Sequence, residues 1–296
     1  MTKPCQRGLM KLVNNSRLIF FLAAFVAILL ASAPGDFSAV PGGPSQTAQT
    51  HQSHSGPANR LDSDTSKTPL SAAKAMPVPF AAGETLNYRV AWTAFSSAAA
   101  VQLSIPERRQ MFGWNTWHFR AAIHTLDRVR SLFTIDDEFD SYTDSATFES
   151  RQYEEYLDEM GRKERNLHRF LPEGQTSRAP APYLIVLPNT RDPLGALYAL
   201  RYVDWRHTPE FHVPVSDGHD VYDLNAKIEA AGGKVSVSAG DFSASRISIH
   251  LAQRGKEVQG ISFLIWIAND AAHTPVQIQA ILPFGNLHVE LVRAGQ

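Results

Sequence analysis

The densest carboxylate run in this chain of 296 residues is Asp136-Asp137-Glu138-Phe139-Asp140, with Asp144 close behind. Hard cations such as calcium are held by several carboxylate oxygens, so the run is the first candidate metal site. It lacks the glycine and the spacing of an EF-hand loop, and reads better as a solvated strand edge whose charges discourage edge pairing. His207, His212 and His219 offer imidazoles for zinc, but their spacing matches neither a helical pair nor a recognised zinc site. With 11 histidines in the chain, chance clustering accounts for them. His51 and His54 sit in a polar stretch and read as solvated. No Gly-rich phosphate loop, His-Glu-x-x-His helix or Gly-x-Ser-x-Gly elbow occurs. The chain therefore yields no assigned catalytic, cofactor-binding or metal residue and no expected cofactor. Missing motifs weaken the case for an enzyme without excluding a dispersed catalytic set.

The bulk numbers narrow the class further. Apolar residues make up 44% of the chain, enough for a sizeable core. The net charge is -1, but Lys3, Arg7, Lys11 and Arg17 all precede the first acid, Asp36. Setting those four aside leaves 24 basic residues against 29 acidic ones, a charge of about -5. Such a surface is poorly suited to nucleic acid, which is bound by clustered Lys and Arg. Cys5 is the only cysteine and precedes the apolar segment. An internal disulfide, a cysteine zinc site and the usual lipoprotein signal are all excluded.

Residues 1–34 read as a signal peptide or an N-terminal membrane anchor. Leu18 to Ala33 is an uncharged run behind four positive charges, and about 16 residues span roughly 24 Å as a helix. Ala31-Ser32-Ala33 suits cleavage, but Pro34 would then begin the mature chain, so the two readings stay open. Both send the body across the inner membrane into the periplasm. Residues 35–78 are rich in Pro, Ser and Gly and nearly free of large apolar side chains, which predicts a disordered linker.

Residues 79–296 carry the folded body. Leu86, Tyr88, Val90 and Trp92 alternate with polar neighbours, as do Trp117, Phe119, Ala121 and Ile123. Period two of this kind marks half-buried strands. Val276 to Leu282 and Leu287 to Leu291 repeat the pattern, whereas Ile261 to Ala268 is apolar at nearly every position and reads as a strand covered on both faces. Phe148 to Tyr156 and Arg165 to Phe170 are expected to pair as a hairpin with acids facing bases, and Pro172 to Pro188 reads as a loop. Val221 to Glu229 and Lys234 to Ser238 read as separate strands. One short helix follows Asp192 as cap and Pro193 as first residue, ending near Asp204-Trp205 and covering one end or face of the sheet. The expected fold is mainly β: an antiparallel curved sheet, a barrel or half-barrel of about ten to twelve strands with one short helix. Tyr88, Trp92, Trp114, Trp117, Trp205 and Trp266 would line an apolar ligand cavity if several faced inward, and would otherwise fill the core.

Three blocks carry a family resemblance. They are Gly83-Glu84-Thr85-Leu86-Asn87-Tyr88 with Trp92, Asp192-Pro193-Leu194-Gly195-Ala196-Leu197-Tyr198-Ala199-Leu200-Arg201, and Trp266-Ile267-Ala268-Asn269-Asp270 followed by Pro275-Val276 and Phe284-Gly285-Asn286-Leu287. In this order, over about Pro79 to Arg293, the chain resembles the exported bacterial proteins grouped as domain of unknown function 3108. The resemblance implies a curved or closed antiparallel sheet and no established activity, so no residue role carries over. Gly195 departs from the family's apparent serine, and glycine inside a helix costs ~1 kcal/mol relative to alanine.

Three functions remain from the sequence. The first is a non-enzymatic envelope protein binding an apolar or amphiphilic small molecule or lipid in its curved sheet. The second is an envelope assembly or scaffolding factor acting through protein contacts. The third is an envelope hydrolase, for which His207, His212, Asp136 and Asp140 are the residues to test.

Overall fold

A computed structural model describes residues 77–93, 95–283 and 285–293. The signal or anchor and the linker up to residue 76 lie outside the described residues, and Val78, expected at the linker's end, packs against the core. Fourteen strands form one sheet: β1 Thr85–Trp92, β2 Phe95–Met111, β3 Trp114–Thr125, β4 Asp136–Asp144, β5 Ser150–Glu159, β6 Arg162–Pro172 and β7 Leu184–Val186 come first. Then come β8 Glu210–Ser216, β9 Val221–Val237, β10 Gly240–Gln253, β11 Lys256–Glu257, β12 Ser262–Ala268, β13 Pro275–Leu282 and β14 Gly285–Val292. A four-residue helix, α1 Asp127–Arg130, follows β3, and the main helix is α2 Pro193–Tyr202.

The spatial order is β7-β6-β5-β4-β3-β2-β1-β14-β13-β12-β10-β9-β8, with β11 attached to β10. Every pairing is antiparallel except β6 with β7. The two ends of the order do not pair as strands, so the sheet is curved and unclosed. The chain itself reaches across the gap. Leaving β7 at one edge, it meets the other edge where Arg191 pairs with Val215 of β8. Pro214, which lacks an N–H, lies on that edge strand, and its carbonyl accepts from Arg191 N at 3.0 Å.

Tight hairpins explain the long meander. Phe112-Gly113 and Met160-Gly161 both have positive φ at the two central residues, the twist that matches flanking strands. Acids of β5 face bases of β6 as expected, with Asp158–Lys163 at 3.3 Å and Glu154–Arg165 at 3.3 Å. Inside the curve lies α2, buried from Pro193 to Arg201. Phe80 packs edge-on against Trp117, Phe119, Phe148 and Tyr198, and Tyr198 stacks on Phe119 at 3.8 Å.

Several expectations are corrected. The strand count exceeds twelve, partly because the expected loop before Pro188 contains β7. The residues expected to form two strands are one, β9, running through Gly232-Gly233 while the ladder to β10 shifts register near Arg246. β12 is not covered on both faces. Phe263, Ile265 and Ile267 are buried while Leu264 and Trp266 stay half-exposed, because the sheet is a single layer whose outer face meets solvent. The helix lies within the curve and ends at Tyr202.

Candidate functional site

The acidic run is not an edge. It forms β4, which pairs with β3 on one side and β5 on the other. Each carboxylate has its own partner. Arg120 Nε donates to Asp140 Oδ1 at 2.8 Å and His118 meets the same carboxylate. Arg130 grips Asp136 through two bonds of 2.8 Å. Asp158 N donates to buried Asp137, whose pKa burial pushes up to about 7. Asp144 accepts from Ala146 N and Arg151. The sequence pattern concealed this because a polar outer face and an edge look alike in one strand.

His207 pairs with Asp204, and His212 with Asn225 and Glu210. The four hydrolase candidates thus sit in separate partnerships. The aromatics do not converge on one cavity either. Tyr88, Trp117 and Trp205 are buried in packing, with Tyr88 Oη donating to Pro275 O at 2.8 Å and Trp205 Nε1 to Leu200 O at 3.0 Å.

The three resemblance blocks meet one another instead. Arg201 at the end of α2 forms two bonds with Glu84, of 2.5 and 2.9 Å, and donates to Ala272 O and His273 O. Asp192 caps α2 by accepting from Gly195 N at 2.8 Å, and Ser141 and Ser150 donate to its other oxygen. Gly195 leaves room for that network, since a Cβ there would lie 3.1 Å from both Ser150 Oγ and Thr143 Oγ1. Asp270 folds the turn after β12 by accepting from Ala272 N and Thr274. A cavity of about 260 Å³ beside this frame is lined by Trp205, Ser245, Asn269, Asp270 and His273, among others. The blocks therefore act as a frame for the fold.

Chemistry concentrates at the seam between the two ends of the sheet. Tyr153 and Glu155 of β5 and His168 of β6 point to the inner side there, and the β8–β9 turn, Asp217 to Asp220, closes over them. His168 Nε2 lies 3.7 Å from Glu155 Oε2, while Asn166 Nδ2 donates to that same oxygen at 3.0 Å. The His168 and His219 rings meet edge to face at 5.1 Å. Gly218 makes this approach possible, because a Cβ on it would fall 2.3 Å from the His168 ring. Asp217 Oδ1 ties the turn by accepting from His219 N and Asp220 N, both at 2.7 Å, and burial raises its pKa to about 6. Glu155 Oε1, His168 Nε2, Tyr153 Oη and Asp217 Oδ2 are buried without a hydrogen-bond partner.

Outside this polar pocket the seam is apolar. Among the described residues eight large apolar side chains are exposed, and five of them, Leu167, Leu184, Ile185, Leu187 and Val221, belong to β6, β7, the chain leaving β7 and the start of β9. Arg162, Lys163 and Arg165 stand exposed on β6. No described helix is long and apolar enough to cross a membrane.

Comparison with known proteins gives one family and several solved structures of low similarity. The family described as protein of unknown function (DUF3108) matches residues 87–292. No curated protein sequence matches the chain. Similar solved structures include a β-barrel-like protein of domain of unknown function DUF1849 from Brucella abortus, 10% identical, covering 71% of this chain and 95% of its own, with a TM-score of 0.46. A candidate lipoprotein from Parabacteroides distasonis is 10% identical over 72% of this chain and 95% of its own, with a TM-score of 0.35. A Bacteroides fragilis protein with a YmcC-like fold is 7% identical over 73% and 97%, with a TM-score of 0.33.

Proposed function

The chain belongs to the family of proteins of unknown function DUF3108, and from that premise we propose that it is an exported envelope protein acting through protein contacts at the open seam of its sheet. Export rests on the charged and apolar N-terminal sequence. The observation that carries the contact reading is the gathering of five of the eight exposed large apolar side chains at that seam. Exposed apolar clusters mark interaction surfaces, and an unpaired strand edge is a template for another strand. The partner is an extended segment of an envelope protein that brings apolar side chains to this strip. The chain's own residues 35–78 are nearly free of large apolar side chains and fit less well.

A photocrosslinking residue at Ile185 of the full chain, in intact cells, tests this. One dominant protein adduct is expected, lost on Leu187→Asp and missing when the probe stands at Leu132. Adducts confined to the chain's own linker, to lipid, or equal from both positions would overturn it.

A bound apolar or amphiphilic molecule is the second reading. The curve of the sheet is filled by α2 and its aromatic neighbours, so such a ligand is better served by an outer groove of about 640 Å³ beside Ala91, Gln279, Ile281 and His288. That volume lies within the range of small-molecule sites. Mass spectrometry of organic extracts from the purified chain would reveal the ligand, and extracts without one would remove this reading.

A further inference from the structure

We propose that Glu155, His168 and His219 bind one divalent transition-metal ion, with zinc the best fit, and that this ion clips the two ends of the sheet together. Among the described residues these are the one set of three His, Asp or Glu side chains whose ligand atoms all lie within 4.8 Å of one another. Two imidazoles with one carboxylate suit zinc and its neighbours in the transition series, whereas calcium and magnesium prefer oxygen alone.

The spacing is close to what coordination requires. Ligand atoms about 2.0–2.1 Å from a tetrahedral zinc lie about 3.3 Å apart. The Glu155 carboxylate approaches His168 Nε2 to 3.7 Å through Oε2, so a small rotation of the carboxylate sets it and the ring on one ion. His219 completes the set from the exposed side, with its ligand atom within 4.8 Å of the other two.

The orphaned atoms are the second observation. Buried polar atoms are nearly always bonded, and each exception calls for a cause. Glu155 is 2% exposed, its Oε2 accepts from Asn166, and its Oε1 has no partner. His168 Nε2, at 3.7 Å from Oε2, is too distant for a hydrogen bond and leaves Oε1 without a partner. An ion taken by Glu155 Oε1 and both rings gives Oε1 and His168 Nε2 the partner each lacks, while Oε2 keeps Asn166. Its surroundings are already built, because Asn166 orients the carboxylate, Tyr153 stacks near His168 at 6.5 Å, and Asp217 fixes the turn that presents His219. His219 at the surface gives the ion an entry path, and a fourth position is left for water.

Chelator-treated full chain titrated with Zn²⁺ is the test. One ion per chain should bind, and at zinc a hundredfold above Kd the melting temperature should rise by roughly 5–10 °C. Glu155→Gln and His219→Gln should each weaken zinc at least tenfold. His219→Gln should lower the zinc-free melting temperature by only about 1–3 °C, because the exposed ring gives up a single edge contact with His168. His207→Gln, a surface control, should bind as the unaltered chain does. Binding below one ion per chain, or affinity undiminished in both variants, would overturn the proposal, as would equal preference for Mg²⁺.

Discussion

Removing the carboxylate from Arg201 is the sharpest test of how this fold is held. Arg201 is 1% exposed, and among the described residues Glu84 is the only carboxylate bonded to it, through both oxygens at 2.5 and 2.9 Å. The guanidinium also donates to Ala272 O at 2.9 Å and His273 O at 3.2 Å, and lies 5.1 Å from the centres of the Phe80 and Tyr198 rings. Glu84→Ala would leave a buried cation with two carbonyls and two ring faces. Breaking a buried pair from one side costs about 3–5 kcal/mol, because the remaining charge stays desolvated. The Glu84 side chain is 18% exposed, so water can enter the vacated space, and the lower end, about 3 kcal/mol, is expected. In a body of this size that lowers the melting temperature by roughly 6–12 °C. Arg201→Met removes the charge but leaves both carbonyls without their donor. Adding Glu84→Ala to Arg201→Met should then cost much less than it does alone, with a coupling of about 2 kcal/mol. Urea unfolding of the full chain followed by tryptophan fluorescence measures all corners of the cycle. A loss under about 1 kcal/mol for Glu84→Ala, or additivity across the cycle, would refute the frame assigned to this pair.

Two further predictions follow from buried groups. Asp137 is 2% exposed and its pKa stands at about 7, raised from 3.8 chiefly by burial. The folded chain therefore holds a proton that the unfolded chain releases. Its contribution to stability is lowest above pH 7 and grows as pH falls to about 4, by on the order of 3–4 kcal/mol. Asp137→Asn should be the more stable protein at pH 8, with the advantage shrinking toward pH 5, and a difference that ignores pH would contradict this. Gly218→Ala puts a Cβ 2.3 Å from the His168 ring at a φ of +95°. A loss of about 2–3 kcal/mol in urea unfolding is expected, and a change below 0.5 kcal/mol would mean that the turn does not rest on His168.

The local period of the sequence was a good guide to individual strands. Tyr88 and Val90 are buried on β1 and Ile278 and Ala280 on β13, as their alternation predicts, and Asp192 with Pro193 starts α2 where expected. It misled where the answer depended on neighbours. The carboxylates of β4 look like an edge in one dimension, but strands on both sides supply Arg120, His118 and the Asp158 N–H. Gly232-Gly233 looks like a break, but the ladder to β10 carries the chain through it.

The candidate site was half legible. A hairpin turning at Met160-Gly161 pairs Glu155 with Asn166 and Tyr153 with His168, which already sets Glu155 and His168 on one face. Nothing nearby in sequence announces His219, about fifty residues further on and beyond a helix. By itself the sequence determined most of the strands, the helix start and the family, because alternation, capping and turn chemistry act over a few residues. Only the tertiary structure decided that α2 fills the curve, that Glu84 neutralises Arg201 and that His219 closes on His168. Those contacts exist because a single twisted sheet curls until its two ends approach, and that distance is a property of the whole chain.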